Sequence, residues 1–374
     1  MAVTNRLRPL RVSLAILAIG LAAAFQAQAQ SAPRRLSSAV MVYSDDDKVS
    51  VISPRLAGQQ ALGPVSVEAS AGVDMVTAAS VDLVTSASPK GFSEERWQAN
   101  ASALYRFQEG TAARSWYGLS KEPDFVSHQL GAGAEVELFE RHSTAGLAYT
   151  ADLSTVGRAH DPLMAEARTA HLLQLSWQQV MGASSMLDLA YSAQRVDGYQ
   201  ASPYRYVRLY AGDSPIHASA VAEAVPSERH RHTLVLGWRQ RLTRRWFAAM
   251  QVRGYTDDWG MRSVASTLRA TWKLSDQWTL DSELRGHTQS AVTFYQRQYN
   301  SFPQVPSWRT ADKELGPMTT SQGGVHLEWA PLLGPRQPLR IGLGVDVIRY
   351  RYLDYAWLAE RTALVTLAHI TWEP

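Results

Sequence analysis

The stretch His232–Tyr295 reads HTLVLGWRQRLTRRWFAAMQVRGYTDDWGMRSVASTLRATWKLSDQWTLDSELRGHTQSAVTFY. It divides into four amphipathic segments. Leu234, Leu236 and Trp238 alternate with Thr233, Gly237 and Arg239, and Thr243-Arg244-Arg245 turns the chain. Trp246, Ala248, Met250 and Val252 then alternate with Ala249, Gln251 and Arg253. After Thr256–Gly260, Val264, Leu268, Ala270 and Trp272 alternate with Thr267, Arg269 and Lys273. Ser275-Asp276-Gln277 turns the chain again, and Leu280 and Leu284 alternate with Asp281, Glu283 and Arg285. Period-two alternation places one set on each face of a sheet. Strands this long, with one apolar and one charged face, predict a closed transmembrane antiparallel β-barrel, an all-β fold.

The same rhythm extends outward. Val65–Met75 and Trp97–Phe107 alternate cleanly, and strands are predicted near Ser115–Leu119, Phe125–Leu138, Thr144–Leu153, Thr169–Val180, Met186–Val196 and Tyr204–Tyr210. Ala211–Ser227 and Asn300–Thr320 read as long loops. Val325, Leu327 and Trp329 begin a further strand, and Leu339–Val347 and Leu364–Trp372 supply the last two. At roughly 20–25 residues per strand and connection, the chain accommodates about 14–16 strands. An even count puts both termini on one side. The short turns at Thr243–Arg245 and Ser275–Gln277 then face the periplasm, and Thr256–Gly260 and Asn300–Thr320 face outside. Trp246 and Trp278 beside turns suit an interfacial aromatic girdle.

The amino terminus has the pattern of a secretory signal over residues 1–29: Arg6, Arg8 and Arg11, an apolar Val12–Phe25, and the small-x-small site Ala27-Gln28-Ala29. The barrel is assigned to residues 30–374, with Gln30–Ser38 as a polar lead. Cysteine is absent, which excludes disulfides, thiolate chemistry and a lipid-modified cysteine. The chain has 37 Lys+Arg against 34 Asp+Glu, and the leader holds three of the arginines and no acid. The remainder is balanced, which argues against a nucleic-acid partner. No later stretch approaches the roughly 18 apolar residues of a helical span.

Candidate chemistry is sparse. Asp45-Asp46-Asp47 offers hard oxygen ligands without the spacing of a calcium loop. It reads better as a solvated turn, or as charges pairing with luminal arginines. His230 and His232 share a face, but Arg229 and Arg231 flank them, and neither a metal site nor a triad with His287 is complete. Tyr204–Arg208 reads as a strand with interfacial tyrosines. The luminal Arg239, Arg241, Arg253, Arg269, Asp281, Glu283 and Arg285 suit a water channel or a network that plugs it.

Several stretches resemble one family. They are Tyr43–Ser53 (YSDDDKVSVIS), Asp82–Pro89 (DLVTSASP), Glu122–Ser127 (EPDFVS), Pro203–Val207 (PYRYV), Glu228–His232 (ERHRH), Tyr255–Met261 (YTDDWGM), Arg285–Gln296 (RGHTQSAVTFYQ) and Ala311–Leu315 (ADKEL). Their order across the chain resembles a proteobacterial family of outer-membrane barrel-like proteins of unknown function. The resemblance implies a fold and a location, and carries no catalytic residue, cofactor or metal. Candidate lumen or loop residues are Asp45, Asp46, Asp47, Arg205, Glu228, Arg229, Arg231, Asp257, Asp258, Arg285, Tyr295 and Asp312. The leading functional expectation is a channel, or an anchoring or export component. A rim-site hydrolase and a plugged structural barrel are the alternatives. The partners expected are outer-membrane lipid and lipopolysaccharide, the barrel-insertion machinery and a periplasmic protein.

Overall fold

In a computed structural model of the protein, the described residues are 34–78, 92–107, 110–159, 161–212, 217–300, 304–333, 338–355 and 357–373. The signal-like leader and Asp82–Pro89 lie outside them. The strands are β1 (Arg34–Asp45), β2 (Val49–Leu62), β3 (Val65–Ala78), β4 (Phe92–Arg106), β5 (Thr111–Lys121), β6 (Phe125–Leu138) and β7 (Ser143–Arg158). Next come β8 (Asp161–Gly182), β9 (Ser185–Gly198), β10 (Tyr206–Tyr210), β11 (His217–Ala222), β12 (Glu228–Arg241) and β13 (Trp246–Asp257). The last are β14 (Arg262–Lys273), β15 (Trp278–Gln289), β16 (Tyr299–Asn300), β17 (Met318–Trp329), β18 (Leu339–Tyr352) and β19 (Glu360–Trp372).

Among the described residues, sixteen of these strands close into one antiparallel barrel. Each pairs with its barrel neighbours in sequence, and β1 closes the ring on β19 with Leu36 opposite Trp372. A closed ladder satisfies every strand and leaves no edge. The polar lead therefore ends earlier than expected. Arg34–Ser38 belongs to β1, because the seam of the barrel is built from the two ends of the chain.

Alternation is inverted relative to a soluble protein. Leu130, Leu284 and Leu343 point outward and are 65%, 64% and 64% exposed. Arg239, Arg269 and Glu283 stand on the opposite, luminal face of their strands. An apolar exterior around a polar interior is the arrangement of an outer-membrane-type barrel. The termini and short turns, including Thr243–Arg245 and Ser275–Gln277, share one end. There Trp246 stacks on Trp272 with centroids 4.9 Å apart, and Trp278 on Trp329 at 5.9 Å. The longer loops, with Thr256–Gly260 and Asn300–Thr320, share the other end.

Three readings of the sequence are corrected. Tyr204–Tyr210 is not a barrel strand. Its core, β10, pairs with β11 and, in parallel, with β16 in a separate three-stranded sheet. Ala211–Ser227 consequently contains a strand within the expected loop. The fourth segment of the opening block ends at Gln289, and Val292–Tyr295 turns into the apparatus at the long-loop end. Val325, Leu327 and Trp329 end β17 rather than begin it. The strand starts at Met318, where polar and glycine residues on both faces obscure the alternation.

Candidate functional site

The lumen is asymmetric. Along β2–β9 the inward side chains are mainly amides and hydroxyls: Gln59, Ser66, Ser70, Asn100, Ser102 and Gln129 among them. They line a cavity of about 1070 Å³, which also meets Glu68, Arg114, Glu135, Asp152 and Arg253. A second cavity of about 290 Å³ adjoins it, sharing Asn100, Gln129 and Asp152, and continues to Glu122 and Phe125 at the long-loop end. Asp152 accepts hydrogen bonds from Ser127 Oγ and Gln129 Nε2, both at 2.9 Å, and from Ser154 Oγ. Its charge is thereby tied to the wall. Arg55 and Arg96 pair with Asp74 at 2.9 and 3.2 Å. From its border with β9 onward the facing wall is knit by charge, with Arg239 of β12 on Asp188 of β9, Arg269 on Glu283, and Asp346 accepting from Gln322 at 3.2 Å and pairing with His326 at 2.9 Å.

A lid covers the long-loop end. It is built from the connections β9–β12, which carries β10 and β11, and β15–β17, which carries β16. Its interior is that of a small soluble domain. Val207, Leu209 and Tyr299 form one buried cluster, and Val225, Trp259, Met261, Val292 and Tyr295 another. The polar centre is equally dense. Arg205 pairs with Asp312 at 3.0 Å and approaches Glu223 at 3.9 Å. Glu223 accepts hydrogen bonds from Thr310 Oγ1 at 2.6 Å and from the Ser202 amide at 2.8 Å. Burial pushes the Glu223 carboxyl above its usual range, although Arg205 and these two donors oppose the shift.

The lid is pinned to rims on several sides. Tyr204 Oη donates to Asp124 in the β5–β6 turn and accepts from the Ala159 amide after β7 at 2.6 Å. Burial pushes the Tyr204 phenol up to about 12. Arg208 lies 4.3 Å from the ring centre of Trp357, and Tyr295 Oη donates to the Asp354 carbonyl, both in the β18–β19 loop. Rooted at two connections, joined by Trp259 and Met261 of the β13–β14 connection and held by three others, the lid lies across the mouth.

The sequence candidates fall into five groups. Arg205, Asp312 and Tyr295 are lid residues. Arg229 forms a buried pair with Asp257 beneath them, its guanidinium 4.1 Å from the Trp259 ring centre. Glu228 and Asp258 flank His230 on the outer face, at 3.5 and 3.0 Å. Arg231 and Arg285 face the lumen, where Arg231 donates to Gln194 at 3.2 Å. Asp45 ends β1, and Asp46 and Asp47 open the β1–β2 turn. Asp45 lies 3.7 Å from luminal Arg361, and Asp46 accepts from the Thr362 amide at 2.9 Å. The triplet is thus a turn docked on its neighbour. His232 bonds Tyr191 Oη at 2.8 Å on the outer face whereas His287 lies on the luminal face, so the rim histidines do not converge. Among the described residues, no group of three or more His, Asp or Glu is arranged to hold a metal ion.

The expectation of interfacial tyrosines at Tyr204–Arg208 is also corrected, since Tyr204 and Arg205 are internal ties of the lid. Sequence reasoning passed over Trp116, which faces the large cavity. Its parity was the available signal: Tyr117 is exposed on the outer face, so its neighbour must point inward.

Residues 81–334 match the family described as Protein of unknown function (DUF3570). The chain belongs to that family. The sequence matches none of the curated proteins. Among solved structures, this DUF3570 member is similar to the siderophore receptor PirA from Pseudomonas aeruginosa, with 10% identity and a TM-score of 0.48 over 91% of this chain and 62% of the receptor. It thus spans less than two thirds of that receptor's length. A bacterial polysaccharide outer membrane secretin gives 10% identity and a TM-score of 0.48 over 92% and 98% of the two chains. OprD from Pseudomonas aeruginosa gives 7% and 0.46 over 92% and 96%. The barrel assignment itself rests on the chain's own closed ladder.

Proposed function

We propose that this protein is a lidded channel of the outer membrane that passes small polar solutes, with its long loops facing outside. The observation that carries the reading is the pair of adjoining polar cavities along β2–β9. They run from Gln59 and Ser66 near the short-turn end to Glu122 and Phe125 at the long-loop rim. A structural barrel has no need of such a column. The facing wall, with its ion pairs, shows what a self-satisfied lumen looks like. The apolar exterior and tryptophan belt suit a lipid environment, and the leader suits export. Outer-membrane lipid, lipopolysaccharide and the insertion machinery are the partners this placement requires.

Planar-bilayer conductance tests the proposal. The intact protein is expected to show a small ion current. Replacing residues 203–224 with a short Gly/Ser linker is expected to raise it several-fold, because the lid then loses Tyr204, Arg205 and Glu223. If both proteins insert, show the heat-modifiable gel mobility of a folded barrel and remain silent, the channel reading is wrong.

A further inference from the structure

We infer that Trp116 and the amides beside it form a binding subsite for a neutral sugar ring within the lumen. The inference rests on the channel reading for its purpose but not for its test. Trp116 is the anomaly of the β2–β9 wall. Most surrounding inward side chains are hydroxyls, amides and charges, with Leu104, Leu172 and Val235 the larger apolar ones. Trp116 is the inward aromatic among the described lining residues, since Tyr117 and Tyr191, which also border the cavity, point to the outer face and bond His128 and His232 there. A tryptophan has no packing reason to stand in a wet lumen, since its favourable burial would be greater on the lipid side.

The wall is shaped to receive it. Trp116 lies between Ser102 on β4 and Gly131 on β6 in the strand register. A Cβ at Gly131 would come within 2.1 Å of indole Cε2 and 2.2 Å of Cζ2, so the ring occupies space that any other residue would fill. Two residues along β5, on the same face, Gly118 leaves a second gap. A Cβ there would be 2.9 Å from Asn100 Oδ1 and 3.6 Å from Gln129 Oε1. Two amide oxygens thus converge over a bare stretch of backbone directly beside an indole.

The orientation of these amides is fixed from behind. Gln129 Nε2 donates to Asp152 at 2.9 Å and Asn100 Nδ2 donates to Ser70 Oγ at 3.4 Å. Each amide nitrogen spends one of its two hydrogens on the wall, and each oxygen is presented as an acceptor. Arg114 completes the rim, donating to Ser102 Oγ at 3.3 Å with its guanidinium 6.0 Å from the indole centre. An apolar plate flanked by acceptors matches a pyranose, which has a face of C–H groups and an edge of hydroxyl donors. A cationic ligand would meet Arg114. An anionic one would meet the two amide oxygens and the carboxylates of Glu68, Glu135 and Asp152, which line the same cavity.

Titration calorimetry on the detergent-solubilised protein tests this, with maltotriose as the probe and glycine betaine, which carries a cation and a carboxylate, as the zwitterionic control. Maltotriose is expected to bind and glycine betaine is not. Trp116→Ala should weaken maltotriose about tenfold, the equivalent of about 1.4 kcal/mol. Trp116→Phe should recover part of the loss, and Gln129→Ala should weaken binding with the indole intact. Heat-modifiable mobility reports whether each variant folds. In bilayers, maltotriose should block the ion current of the wild type at lower concentration than that of Trp116→Ala. Absence of maltotriose binding to the folded wild type overturns the subsite whatever the current shows. Binding without any current leaves the subsite standing and removes the channel.

Discussion

The barrel and its lid obey opposite solvent rules within one chain. In the barrel, Leu284 and Leu343 are exposed and the charges are inside. In the lid, Val207, Leu209 and Tyr299 are at most 3% exposed and form a core. The same alternation of apolar and polar residues serves both, so alternation alone does not say which way a strand faces. What differs is the solvent beyond the apolar face: lipid for the barrel, more protein for the lid. Two ion pairs on barrel strands show what the lid adds. Arg229–Asp257 under the lid has side chains only 8% and 0% exposed, whereas in the luminal pair Arg269–Glu283 the arginine is 58% exposed.

That difference is broken most sharply by deleting one arginine from each pair. Arg229→Ala leaves the Asp257 carboxylate buried without its cation, which costs about 3–5 kcal/mol by the behaviour of buried pairs. Arg269→Ala leaves Glu283 beside luminal water and costs under about 1 kcal/mol. Urea unfolding in vesicles reads both, and protease cleavage between residues 199 and 227 shows whether the first loss is confined to the lid. Equal effects would mean that the two regions share one environment.

The lipid side gives the next effect. Leu284 lies mid-strand in β15 on the outer face. Leu284→Arg is expected to destabilise the barrel by about 2–4 kcal/mol in a bilayer, the cost of a charge at midplane. Leu284→Ala should cost less, and neither should change proteolysis of the lid. A soluble protein with 64% of this leucine exposed would tolerate arginine without loss.

These rules also explain what the sequence disclosed. Barrel strands such as Phe125–Leu138 were legible to the residue, because their alternation is local and long. The lid was not. Tyr204–Tyr210 has the same alternation, and what makes it a lid strand is a parallel partner some ninety positions away, Leu209 opposite Tyr299. Arg205 and Asp312 stood out as separate motifs, but their ion pair is a product of that long-range closure. The Trp116 subsite was half legible. Strand parity places the indole inside, while the space left by Gly131 and the convergence of Asn100 and Gln129 over Gly118 require three registered strands.

The smallest expected effect concerns pH and bears on the lid alone. Burial holds Glu223 above the ordinary glutamate value in the closed lid, and opening restores that value. The closed form therefore binds the proton more tightly, and between the two values it carries more protons than the open form. Closure is favoured as pH falls through this window and weakens as pH rises through it. Protease cleavage within residues 199–227 should accelerate modestly with rising pH, at constant enzyme activity of the protease. Glu223→Gln keeps an oxygen for Thr310 and Ser202 but cannot ionise, so its cleavage rate should be flat over the same range. Barrel unfolding should show no matching trend in either protein, because the Glu223 partners given among the described residues, Arg205, Ser202 and Thr310, belong to the lid. A parallel shift in barrel stability would mean that lid and barrel unfold as one unit, and that the two solvent regimes are coupled rather than merely adjacent.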